Sequence, residues 1–114
     1  MSKLKIKRVY DPPAADDGTR VLVDRLWPRG LTKEAARVDE WLKEIAPSDE
    51  LRKWFGHDPA RWAEFRMKYL EELRRQEPLT DELKSKAQRG TVTLLFAAKY
   101  AEHNDAVVLK DFLT

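Results

Sequence analysis

The chain contains no cysteine. That absence removes disulfides, thiol nucleophiles, thiolate-bound zinc and iron–sulfur clusters. Small secreted domains commonly lean on disulfides, so it also points to a reducing compartment, the cytoplasm. There is little net charge: 22 Lys plus Arg stand against 20 Asp plus Glu, leaving +2. Nucleic-acid binders usually carry a basic stripe, so nucleic acid is disfavoured as a partner and any cationic site must be local. No run approaches the roughly 18–20 apolar residues of a membrane span, and no membrane partner is expected. The basic start, Met1 to Tyr10, is followed by no long apolar segment and does not read as a signal peptide. There is no P-loop, no G-x-G-x-x-G and no G-x-S-x-G. The two histidines, His57 and His103, show no metal-ligand spacing. Neither a metal nor a cofactor is called for.

What is present suits a folded domain. Charged residues make up 37% of the chain, but 42% is hydrophobic and there are four Trp. A disordered chain combines high charge with few aromatics, so the charge reads as helix surface and residues 1–114 as one domain. Leu4 to Tyr10 alternates Leu4 and Ile6 with Lys3, Lys5 and Lys7, a strand with one wet face whose lysines suit a sheet edge. Pro12, Pro13 and Gly18 make Asp11 to Thr19 a loop. Arg20 to Leu26 carries Val21-Leu22-Val23, a short β-branched run expected of a strand buried on both faces. Thr91 to Ala97, with Val92, Leu94, Leu95 and Phe96, is a third strand.

Between the second and third strands the periodicity predicts helices. Thr32 caps a helix through about Ile45 on the stripe Val38, Trp41, Leu42 and Ile45. Pro47 and Ser48 break and recap, and Leu51, Trp54 and Phe55 face one way on a short helix ending at Gly56. Asp58-Pro59 starts a longer helix with Trp62, Phe65, Tyr69, Leu70 and Leu73 inward. Pro78 falls beyond its end, Thr80 caps the next helix, and Gly90 stops it. Ala106 to Leu109 could extend as a strand, but Asn104 as a cap, Asp105 in the first turn, and Ala106, Leu109 and Leu113 on one face favour a helix. The fold class is α/β, with a small, mainly parallel sheet of about three to four strands flanked by about five helices. The direction of the first strand relative to the second is not fixed by the pattern. Val21, Leu22, Val23, Leu94, Trp41, Trp62 and Phe65 are expected in the core.

In open α/β sheets ligands bind beyond the carboxyl ends of the strands, often at a helix N-terminus. The second strand runs into Asp24-Arg25-Leu26-Trp27-Pro28-Arg29, and the third into Ala98-Lys99-Tyr100 and then His103-Asn104. If these strands are parallel, Arg25, Arg29 and Lys99 meet the free amides after Asn104 on one edge. Guanidinium forks and helix N-termini both suit phosphate or carboxylate. The competing reading is that Arg25 and Arg29 pair with Asp24, Asp11 or Asp17 and merely pin the loop. His103 and Asp24 are the candidate proton-handling groups, Tyr10 faces the same cleft, and Trp27 either stacks on a ligand or packs. His57 reads as a loop histidine bonded to backbone.

The runs VLVDRLWPRGLTKE, APSDELRKWFGHDPARWAEFRMKYLEEL and TVTLLFAAKYAEHNDAVVLKDFL resemble the YeaO-like branch of a family of domains of unknown function, DUF488. The resemblance spans about Lys5 to Leu113. It implies a strand ending in an Asp-x-Arg-like segment followed by a proline, here Asp24, Arg25 and Pro28. It also implies a late strand leading to a helix start that often carries Cys-His-Arg. Here that segment is Glu102-His103-Asn104, so only the histidine carries over, and no reaction is implied. Three functions compete: binding of, or action on, a small anion at the carboxyl edge of the sheet; a nucleic-acid module using the same edge with Trp27; and an interaction domain, with a homodimer expected through an exposed apolar patch.

Overall fold

The structure, a computed structural model, describes residues 3–100 and 103–114. Its sheet is built from β1 (Leu4–Arg8), β2 (Thr19–Leu22), β3 (Glu40–Trp41) and β4 (Val92–Phe96) in the order β1-β4-β2-β3. Every neighbouring pair is parallel, so β1 and β2 point the same way. β4 lies between them, pairing Leu4 with Val92 on one side and Val21 with Leu94 on the other. All five β4 residues are buried, as a central parallel strand requires.

Two clusters cover the two faces. Val21, Val23, Val92, Leu94 and Phe96 point toward α3 (Trp62–Arg74), α4 (Glu77–Arg89) and α5 (Asp105–Leu113), meeting Phe65, Tyr69, Leu73, Leu83, Val108 and Leu109. The short α2 (Asp49–Phe55) closes the same layer with Leu51 and Phe55. Leu22 and Leu95 point to the other face, with Val9, Ala36, Trp27 and Trp41. This alternation is the period of two expected of a strand. The second face also holds a buried ion pair. Arg20 Nη1 lies 2.5 Å from Asp17 Oδ2, and the guanidinium donates to the carbonyls of Ala36 (2.8 Å) and Arg37 (3.0 Å).

The helix expected from Thr32 to Ile45 is not formed. Thr32 does cap a helix, accepting from the Ala35 amide, but that helix, α1 (Lys33–Ala36), stops at Arg37, whose φ is 48°. The chain then lies along β2: Asp39 N donates to Arg20 O (2.9 Å), Leu42 N donates to Leu22 O (2.9 Å), and Asp39 Oδ2 accepts from Arg20 N (2.8 Å). The open side of β2 needs partners for its backbone groups, and that demand outweighs a helical stripe. Trp41 sits on the second sheet face, and Trp41 and Trp62 are half-buried rather than buried.

Two other boundaries differ. α4 begins at Glu77, so Pro78 lies in its first turn, where a missing amide costs nothing, and Thr80 donates from inside the helix to Glu77 O. α3 is preceded by a 3₁₀ turn, Pro59–Arg61, capped by Asp58. α5 forms as expected, with Asn104 accepting from the Val107 amide. Gly18 is required where β2 begins. Its φ is +65°, and a Cβ there would stand 2.1 Å from the Thr91 carbonyl oxygen, which accepts from the Thr19 amide.

Candidate functional site

β2 and β4 leave the sheet side by side, and Asp24 takes over where their ladder ends. Val23 N still donates to Leu95 O (3.2 Å); one rung further, Ala97 N donates to the Asp24 carboxylate (2.8 Å). The Asp24 carbonyl accepts from Trp41 Nε1 (2.7 Å), so the residue is held from both sides. Across the edge stands the start of α5. Asn104 is buried, with Nδ2 donating to Tyr100 O (2.7 Å) and Oδ1 accepting from Val107 N (3.0 Å). Asp105, the first helical residue, accepts from Ala106 N through its own carboxyl (2.9 Å).

This places the Asp24 and Asp105 carboxyls against each other in hydrogen-bonding contact. Burial pushes the Asp105 carboxyl well above its ordinary range, and the neighbouring Asp24 charge pushes it further. Burial also raises Asp24, opposed by its contact with Asp105, the Ala97 amide and the His57 side chain. Two carboxylates in contact cannot both ionise readily, so just above the ordinary carboxylate range the pair holds one proton, with Asp105 the more strongly raised member.

The pair forms the floor of a cavity of about 540 Å³ at the carboxyl edge of the sheet, within the usual range for small-molecule sites. Its walls include Trp27, Pro28, Pro47, Phe55, Phe65, Ala98 and His57, and its cationic groups are Arg25, Arg29, Arg52 and Lys53. Arg25 ties two loops together, Nε donating to Pro47 O (3.2 Å) and Nη2 to Ala46 O (3.4 Å), with Asp49 at 3.8 Å. Arg29 is exposed, and its carbonyl accepts from Tyr10 Oη (2.8 Å). Among the described residues, neither arginine pairs with Asp11, Asp17 or Asp24.

Of the residues singled out from sequence, Tyr10, Asp24, Arg25, Trp27, Arg29 and Asn104 therefore line one cavity. Lys99 is exposed, and neither it nor His103 is among the described lining residues. The His103 ring instead stacks on Trp62, with centroids 4.8 Å apart. Trp27 is packed as well as exposed to the cavity, donating to Leu31 O (2.8 Å) and meeting Trp41 edge-on at 5.5 Å. The α5 amides expected to be free at Ala106 and Val107 are taken by the Asp105 and Asn104 side chains.

Two further residues, Asp105 and His57, line the cavity although their sequence context points elsewhere. Asp105 read as a first-turn helix residue, because nothing in the sequence shows that Asp24 stands opposite. His57 adopts a φ of 58° after α2 and lines the cavity beside Phe55 and Tyr100. No group of three or more His, Cys, Asp or Glu among the described residues is arranged to hold a metal ion, and no described helix is long and apolar enough to cross a membrane.

Fold and site together define a small α/β protein with an all-parallel sheet and a carboxyl-floored cavity at its carboxyl edge. The chain belongs to the family described as the inactive DUF488-N3 subclade, which it matches over residues 3–114. It is 48% identical over 110 residues to the uncharacterized protein YeaO of Escherichia coli K12, covering 96% of each chain. It is 42% identical over 112 residues to the uncharacterized proteins Rv3073c of Mycobacterium tuberculosis and Mb3100c of Mycobacterium bovis, covering 98% of this chain and 94% of theirs. No solved structure matches it. The YeaO-like, DUF488 resemblance and the α/β class expected from sequence both hold.

Proposed function

We propose that this protein binds a small organic anion in the cavity at the carboxyl edge of its sheet. One observation carries the reading. Arg25, Arg29, Arg52 and Lys53 converge on a single concave space whose remaining walls are largely apolar. Against them stand the Asp24–Asp105 pair and Asp49, which pairs with Arg25 (3.8 Å) and Arg52 (3.3 Å), so four cations face three carboxyls and the balance is cationic. Guanidinium groups beside low-dielectric walls favour phosphate or carboxylate. The anion belongs at these side chains rather than at the α5 N-terminus, where Asp24 and Asp105 would repel it. Description of the family as inactive fits a site that holds a ligand without turning it over. The absence of cysteine supports a cytoplasmic setting.

A thermal-shift titration tests this with inorganic phosphate, sulfate and a nucleoside monophosphate. A ligand present at ten times its Kd adds about 1.4 kcal/mol to the folded state. At an unfolding entropy of about 2.1 cal/mol/K per residue, that raises the Tm of 114 residues by about 6 °C. Arg29→Ala combined with Arg52→Ala abolishes the shift. Lys68→Ala, exposed on α3 and paired with Glu64, retains it. If none of the three anions moves the Tm at millimolar concentration, the proposal is wrong.

A further inference from the structure

The cavity has two chemically distinct ends, and the floor does not suit the anion that the rim attracts. We propose that the Asp24–Asp105 pair recognises hydroxyl groups, so that the occupant is a sugar phosphate with its phosphate at the rim cations and its hydroxyls on the paired carboxyls. This rests on the anion-binding reading above and specifies the remainder of the ligand.

The geometry supports it in three ways. First, both carboxyls are fixed before any ligand arrives: Asp24 by the Ala97 amide at 2.8 Å, Asp105 by the Ala106 amide at 2.9 Å. Asp24 lies two residues beyond β2 and is tied to the end of β4 through Ala97, while Asp105 opens α5, so elements distant in sequence set their contact. Second, the pair lines the cavity instead of being sealed from it. An alkyl chain placed there would strip its solvation without replacing hydrogen bonds, which is costly for polar groups. Third, the proton the pair retains is engaged between its two carboxyls, so the pair meets the cavity as a hydrogen-bond acceptor, and a hydroxyl is a donor that brings no charge. An inorganic anion meets that requirement poorly, because it would face the pair's remaining negative charge. A volume of about 540 Å³ has room for a pentose or hexose phosphate.

Calorimetric titration compares ribose 5-phosphate with monobutyl phosphate, which carries the same anion but no hydroxyls. Hydrogen bonds to charged groups contribute enough to separate the two by about ten- to hundredfold in Kd, ribose 5-phosphate binding the tighter. Asp105→Ala and Asp24→Ala, each verified as folded by circular dichroism, reduce that ratio to within about threefold while monobutyl phosphate still binds. Equal affinity of the two esters for the unsubstituted protein overturns the hydroxyl assignment and leaves the anion reading standing, a result that needs no variant. An undiminished ratio in both Ala variants also overturns it, by locating the hydroxyl contacts elsewhere. Failure of both esters to bind overturns the anion reading and the assignment together.

Discussion

The half-buried carboxyl pair has a thermodynamic signature that requires no ligand. Above the ordinary carboxylate range, Asp24 and Asp105 of an unfolded chain bind no protons, whereas the folded pair retains one because Asp105 is held well above its usual range by burial and by Asp24. A group whose folded pKa is raised adds stability that is fully present below its unfolded pKa and is lost as pH rises toward the folded value. Between the ordinary carboxylate range and the folded value, one extra proton on the folded state makes stability fall by at most about 1.4 kcal/mol for each pH unit. With an unfolding entropy of about 2.1 cal/mol/K per residue over 114 residues, this is about 6 °C in Tm per pH unit. In Asp105→Asn the amide donates to the Asp24 carboxylate, the retained proton is gone, and this component of the slope vanishes. Differential scanning calorimetry from about pH 5 upward measures both proteins. His57 and Tyr69, the other titratable groups that interact with the pair, are common to both proteins and cancel in the difference between the curves. The wild-type Tm declines relative to the variant as pH rises. Parallel curves would refute the shared proton.

Three further expectations concern the scaffold. Gly18→Ala forces an L-residue to φ +65° with its Cβ 2.1 Å from the Thr91 carbonyl oxygen and costs about 3 kcal/mol or more, whereas Gly30→Ala, at φ +82° with open space around it, costs only about 1–2 kcal/mol of backbone strain; urea titrations of equal cost would show that the Thr91 contact is irrelevant. Asp17→Asn leaves buried Arg20 without its carboxylate and costs about 3–5 kcal/mol at neutral pH. Burial works to raise the Asp17 carboxyl, but the Ala14 amide, Lys7 and Arg20 outweigh it and hold it below the usual range, so the stability it adds is present at neutral pH and lost as pH falls through the folded value. The gap between wild type and variant therefore narrows in acid, and a gap that widened there would contradict the assignment. Leu22→Ala, in the fully buried centre of the second face, costs about 2–5 kcal/mol; an unchanged Tm would remove β2 from the core.

Much of the architecture could be read from local signals, because those signals are short in range. Ser48 before α2, Asn104 before α5 and Gly56 after α2 are caps whose chemistry involves residues a few positions away. Val21-Leu22-Val23 is apolar on both faces because its strand is covered on both. The segment after Thr32 misled for the opposite reason. Val38, Trp41, Leu42 and Ile45 keep helical spacing, but their course is set by hydrogen bonds to Arg20 and Leu22, partners distant in sequence. The site divides along the same line. Asp24, Arg25 and Arg29 follow a visible strand and were expected at its end. Asp105 acquires significance only through Asp24, and Arg52, Lys53 and His57 only through the placement of α2 across the sheet edge.

The strand order also governs how the chain reaches this state. β1 and β2 are close in sequence yet share no ladder; β1 has no strand partner until β4 lies beside it, and β2 has only the two-residue β3 on its far side. The central strand is thus the last of the four to be synthesised. Until Val92 to Phe96 arrives, the two earlier strands have exposed edges and the floor of the cavity has no opposite wall. Contacts so distant in sequence slow folding, and unpaired strand edges invite association with other chains. The lysines at positions 5 and 7 of β1 discourage such pairing during the interval, before Lys7 settles onto Asp17.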